Sequence, residues 1–116
     1  MTIAAAHYDK FKEQVIADGF VFTFVDAGEY LVFPVRGSEV IPFWSSQSRV
    51  EKVQSQHPKY AMFTIKGLPL DEFIEWLPKL GADGILIGAN WSGQRLQGYD
   101  VAASDLLAGI RHWLEG

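Results

Sequence analysis

Three histidines, His7, His57 and His112, are the first candidates for chemistry in this chain. A metal site needs ligands that converge, as pairs at helical spacing or on neighbouring elements. Only His112 and Glu115 have such spacing, and one pair does not make a site, so no metal ligand set is assigned. His57 precedes Pro58, and a position at a helix end, beside the negative pole, accounts for it. A hydrolase would need a nucleophile with a base in reach. Ser45, Ser46 and Ser48 stand at an expected strand-to-helix turn, but the flanking glycines of a nucleophile elbow are missing, and helix capping explains these serines. Asp71 and Glu75 are neighbours on a helix face, with Glu72 beside them; a solvated first helical turn accounts for all of them, and no acid–base pair follows. Gly88, Gly93 and Gly98 suit a hairpin and do not spell a phosphate-cradling loop. No catalytic residue, metal or cofactor is therefore expected.

Two segments suit recognition better than reaction. The first is the junction carrying Trp44, Ser45, Ser46, Ser48 and Arg49. A helix N-terminus there offers unpaired N–H groups, which serine hydroxyls and a guanidinium can join around an anion. The competing account is that Trp44 only fills the core at a strand end. The second is the turn after Asn90, where Trp91 and Arg95 lie close together; Trp and Arg are the side chains that most often anchor protein contacts. Covering a core edge is the plainer role for Trp91.

These segments depend on the elements around them. Residues 3–18 read as a helix with Ala4, Tyr8, Phe11 and Val15 on one face, stopped by Gly19. Residues 20–44 read as a three-stranded antiparallel meander: 20–25, 30–35 and 39–44, turning at Asp26-Ala27-Gly28-Glu29 and Arg36-Gly37-Ser38. Pro34 should face an edge or a bulge. The first two strands are apolar on both faces, so both faces should be covered. A second helix begins within 45–48, with Ser48 and Glu51 as a capping box, and runs to about Gln56. A fourth strand spans 60–65, and a third helix opens at Leu70 and ends or kinks at Pro78. Strands at 84–91 and 96–101 precede a last helix capped by Ser104, with Leu106, Leu107, Ile110, Trp113 and Leu114 on one face. The expectation is a single α+β domain over residues 1–116, a mostly antiparallel sheet with about four helices packed on it.

Composition narrows the function further. Aromatics make up 14% of the chain, enough large apolar area for a core without staples. The absence of cysteine excludes disulfides and thiolate chemistry and fits a reducing cytoplasm. The opening residues lack the basic region of a signal peptide, and no apolar run is long enough to span a membrane. A net charge of −4 argues against a nucleic-acid partner.

One resemblance adds to this. The ordered set Ile41-Pro42-Phe43-Trp44-Ser45-Ser46, Leu70-Asp71-Glu72-Phe73 and Asp83-Gly84-Ile85-Leu86-Ile87-Gly88-Ala89-Asn90-Trp91 resembles a bacterial family of small domains of unknown function, domain-of-unknown-function family 2750. It covers roughly residues 20–101 and implies no reaction. Proteins of this layout are suspected as immunity proteins of toxin systems, so the resemblance implies an immunity or adaptor role at the level of analogy. The reading is a non-enzymatic, protein-binding domain of the bacterial cytoplasm, monomer or homodimer. The alternative is a small-ligand or anion-binding domain using the Trp44–Arg49 helix start. A third is an enzyme with a dispersed site. A deep charged pocket would favour the last two; a flat patch of exposed tryptophan would favour the first.

Overall fold

Two tight turns set the architecture. The computed structural model describes residues 3–115. At Ala27-Gly28 and Arg36-Gly37 both residues of each turn have positive φ, the mirror-image geometry that matches the twist of a hairpin. The first joins β1 (Phe20–Asp26) to β2 (Glu29–Tyr30), and the second joins β3 (Phe33–Val35) to β4 (Ser38–Phe43). Helix α1 (Ile3–Asp18) precedes them; α2 (Gln47–Gln56), a 3₁₀ turn (Pro58–Tyr60), β5 (Thr64–Pro69), α3 (Leu70–Ala82), β6 (Ile85–Ser92), β7 (Gln97–Ala102) and α4 (Ala103–Leu114) follow.

The fold is α+β, with mostly antiparallel strands in two sheets of order β2-β1-β5 and β3-β4-β6-β7. The two hairpins of residues 20–44 are present, but they do not form one meander. The chain leaves the first sheet at Leu31-Val32, and β3 joins the second. The prolines explain the division. Residues 38 and 40 of β4 pair with β3, whereas Trp44 exchanges main-chain hydrogen bonds with Phe22 of β1. Pro42 stands at the changeover, where no donor is needed, and its carbonyl accepts from Thr23 Oγ1 at 2.7 Å. Pro34 lies on the edge strand β3, where its missing N–H costs no ladder bond. The pairing of β4 with β6 is parallel, and it brings the two motif-bearing strands together.

Alternation along the strands makes two cores, one on each side. Ile41, Phe43, Ile87, Ala89 and Val101 face α1, α3 and α4, meeting Phe11, Val15, Phe73, Leu77, Leu106 and Ile110. Phe24, Val40, Trp44, Val50, Val53 and Trp91 form the second. Both faces of β1 are therefore buried, with Val21 in one cluster and Phe24 in the other. Ala4, expected on the buried face of α1, lies outside the residues whose side chains are described.

Four local expectations need correction. Ser46, not Ser48, caps α2: its Oγ accepts from Arg49 N at 3.3 Å, because the helix begins at Gln47, two residues earlier than a Ser48 cap requires. The strand expected at 60–65 begins at Thr64, since Pro58 starts a 3₁₀ turn and Gln54 Nε2 holds the carbonyls of Tyr60 and Phe63. Helix α3 runs through Pro78 to Ala82, its turns anchored by buried Leu77 and Leu80. Strand β7 runs directly into α4, which leaves Ser104 inside the first turn without a capping bond; buried Ala103 and Leu106 anchor the helix start, and Trp113 and Leu114 are 44% and 53% exposed.

Candidate functional site

The junction segment and the Asn90-Trp91 turn, singled out separately, meet in space. Trp44 is fully buried, and its indole Nε1 donates to the main-chain oxygen of Trp91 at 2.7 Å. The main-chain N–H of buried Ser45 donates to Asn90 Oδ1 at 2.9 Å, and Asn90 Nδ2 donates back to Ser45 Oγ at 3.0 Å. Ser45 Oγ in turn donates to Gln14 Oε1 of α1, which also accepts from Arg49 Nε at 3.3 Å. Each of these groups has a specific partner, and among the described residues the Ser45 hydroxyl bonds to the side-chain amides of Gln14 and Asn90, not to a base. Ser46 is the helix cap, and exposed Ser48 lies 3.2 Å from it, oxygen to oxygen. The junction thus ties α1, β4, α2 and β6 together.

The backbone explains the types of residue in this motif. Asn90 has φ of 50°, in the left-handed region where Asn is among the few tolerated side chains. The pairing of β6 with β7 shifts register between Ala89 and Ser92, so Asn90 sits in a bulge that re-aims Trp91. The indole of Trp91 then lies flat across two glycines. A Cβ on Gly88 would come within 2.4 Å of Trp91 Nε1, and one on Gly98 within 2.8 Å of its Cδ1.

On its other side Trp91 floors an open cleft. Gly88 stands opposite Asp100 in the ladder, so both lie on the face turned away from α1, α3 and α4. Trp91 Nε1 donates to Asp100 Oδ1 at 2.8 Å. The cleft has a volume of about 360 Å³. Phe33, Val35 and Arg36 of the β3–β4 hairpin form one wall, and Arg95, Leu96 and Gln97 of the β6–β7 turn form the other, with Tyr60 nearby. Partial burial raises the pKa of Asp100, opposed by the Trp91 hydrogen bond and by the charge of Arg36. Among the described residues the one ion pair is Asp9–Lys12, at 3.6 Å; neither Arg36 nor Arg95 has a carboxylate within that reach. His57 Nε2 contacts the Gly93 carbonyl at 2.8 Å, which braces the turn carrying Arg95.

Of the expected site residues, Trp91 and Arg95 belong to the cleft, while Trp44, Ser45, Ser46, Ser48 and Arg49 belong to the junction behind it. Arg36 and Asp100 were not singled out by sequence reasoning. Arg36 carries a signal in retrospect, because it occupies a turn position that favours Asn, Asp or Gly. Asp100 carries none; only the fold sets it beside Trp91. Among the described residues no group of three His, Asp or Glu side chains comes together, and no helix is long and apolar enough to cross a membrane.

Residues 8–110 match the family described as "Protein of unknown function (DUF2750)". The match covers nearly the whole chain, which belongs to that family. No curated protein matches it.

Proposed function

We propose that this member of the family is a non-enzymatic binding domain and that the cleft over Trp91 takes an anionic group. One observation carries the reading: Arg36 and Arg95 line the same cleft, and neither is paired with a carboxylate among the described residues. Charge-assisted bonds from guanidinium to carboxylate or phosphate are short, directional and strong. The surrounding volume falls within the usual range for a ligand site. Catalysis is disfavoured because Ser45 is walled in by amides and Asp100 has a tryptophan, not a second titratable group, as its hydrogen-bond partner. The anion has two possible sources, a small molecule or an acidic segment of a partner protein. An immunity or adaptor role in a bacterial cytoplasm is the second form of the same chemistry.

The test is a low-salt NMR titration with inorganic phosphate, citrate and a glutamate-rich peptide. The amides of Arg36, Leu96 and Gly98 are expected to shift. Arg36→Ala with Arg95→Ala should weaken binding by about 10-fold or more for each arginine removed. Undiminished affinity in the double variant sinks the reading. Preference for peptide over citrate selects the protein partner; the reverse selects the small molecule.

A further inference from the structure

The first sheet ends on β5, which among the described residues pairs only with β1. The register shows which of its groups point outward. Phe22 spends its N–H and carbonyl on Trp44, and the Phe24 carbonyl accepts from Leu31, so both residues face away from β5. Their partners across the ladder are Gly67 and Ile65. In an antiparallel ladder such pairs are the non-bonded ones, and each member presents its N–H and carbonyl to its other side. Ile65 and Gly67 therefore aim their main-chain groups away from β1, at an edge where Thr64, Lys66 and Gly67 are exposed. Pro69 closes the row, because its outward position has no N–H.

We infer that this edge accepts an extended segment of a partner protein as a further strand, with an acidic residue opposite Lys66 and apolar residues on either side of it. This goes beyond the anion cleft and uses a different surface. Strand addition at a sheet edge draws affinity from main-chain bonds and specificity from alternate side chains. Lys66 is the one charge on the strand, and opposite charges across a strand pair are favourable. The other face at this edge is apolar. Phe22 lies against Gly67, where a Cβ would meet its Cε1 at 3.1 Å, and Phe20, 44% exposed, stacks on Phe22 with ring centres 6.4 Å apart. Partner residues opposite Gly67 and Ile65 would share that face.

A second copy of this chain fits the edge poorly. The antiparallel register that uses Ile65 and Gly67 of both copies sets Lys66 against Lys66 at the closest cross-strand distance. Centring on Ile65 brings Gly67 opposite Phe63, whose carbonyl is held by Gln54 at 3.0 Å. Centring on Gly67 brings Ile65 opposite Pro69, which has no donor.

The probes are two short blocked peptides, one with Val-Glu-Val at its centre and one with Val-Lys-Val. At a peptide concentration of about ten times Kd, the Glu peptide should slow hydrogen exchange at the amides of Ile65 and Gly67 by about 10-fold. Lys66→Glu, an exposed substitution, should reverse the preference between the peptides. Lys66→Ala should erase it while leaving residual protection. The inference is overturned by no protection at about 10 mM peptide, by an unchanged preference in Lys66→Glu, or by amides already protected in a peptide-free dimer on ultracentrifugation. Arg36→Ala with Arg95→Ala leaves the β5 response intact if the two sites are separate; loss of that response in this variant assigns the peptide to the cleft and also overturns the inference.

Discussion

Trp91 divides two regions of opposite character. Its carbonyl belongs to a closed junction, where Trp44, Ser45, Asn90, Gln14 and Arg49 satisfy one another. Its indole belongs to an open cleft, where, among the described residues, Asp100 has one side-chain hydrogen-bond partner and two arginines have no carboxylate within ion-pair reach. Among the described residues no buried side-chain polar atom lacks a partner. The comparison separates residues that look chemical from residues placed for chemistry. Buried polar groups must be paired to be tolerated, so a rich network in the interior is first of all a structural requirement. Charges that the fold leaves without partners at a concave surface are the better sign of a ligand.

The largest expected effects lie in the junction. Trp44→Ala should cost about 3–5 kcal/mol in chemical denaturation, from the cavity and the orphaned Trp91 carbonyl together. Asn90→Ala should cost about 1–3 kcal/mol through the Ser45 N–H left buried without an acceptor, with added strain at a φ of 50°. Asn90→Gly, which removes the acceptor but relieves the strain, should lie between Asn90→Ala and the parent protein. Equal losses for the two variants would show that the acceptor alone matters. Small losses throughout would mean that the junction is not the pillar its hydrogen bonds indicate.

The same contrast explains what the sequence could show. Helix α1 is legible because Phe11 and Val15 repeat at helical spacing and Gly19 ends the run. The strands are legible because β-branched and aromatic residues cluster between glycine turns. Their partners are not legible, because pairing is decided by distant segments: β1 spends one side on β5 and shares the other between β2 and Trp44. The Trp and Ser of the junction attracted notice by residue type, yet they are buried, and only β4–β6 pairing brings Ser45 to Asn90. Arg36 and Asp100, about sixty residues apart, line one cleft only through that topology.

A smaller effect tests the cleft through pH. Burial raises the pKa of Asp100 above the ordinary 3.8. The folded protein then binds more protons than the unfolded chain in that window, so this group's contribution is fully present below 3.8 and is lost as pH rises through the raised value. Denaturation of the parent protein and of Asp100→Asn should show the parent losing stability relative to the variant as pH increases over that range. Anion affinity should move in the same direction, strengthening as pH falls and the carboxylate is neutralised, and Asp100→Asn should flatten that dependence. A parent protein that gains stability over the variant with rising pH would mean that the Trp91 hydrogen bond and the charge of Arg36, not burial, govern Asp100.

The smallest effect gives the cleanest separation of scaffold from site. Ala27 and Arg36 occupy equivalent positions in two hairpin turns, with φ of 52° and 50°, and each is followed by glycine. Asn is favoured at this position, and an ordinary side chain there is strained. Ala27→Asn and Arg36→Asn should therefore each stabilise the protein by about 0.5–1 kcal/mol. Their effects on binding should differ. Ala27 lies outside the cleft, so its substitution should leave anion affinity unchanged. Arg36→Asn should weaken binding about 10-fold, the loss of one charge-assisted contact, while Arg36→Lys keeps the charge and much of the affinity with no gain in stability. An arginine held at a strained turn position costs the fold some stability, and a ligand contact is the compensation that the cleft offers. If Arg36→Asn gains stability and binds as well as the parent protein, Arg36 is excluded from the site, and Arg95 with Asp100 and Trp91 must account for recognition.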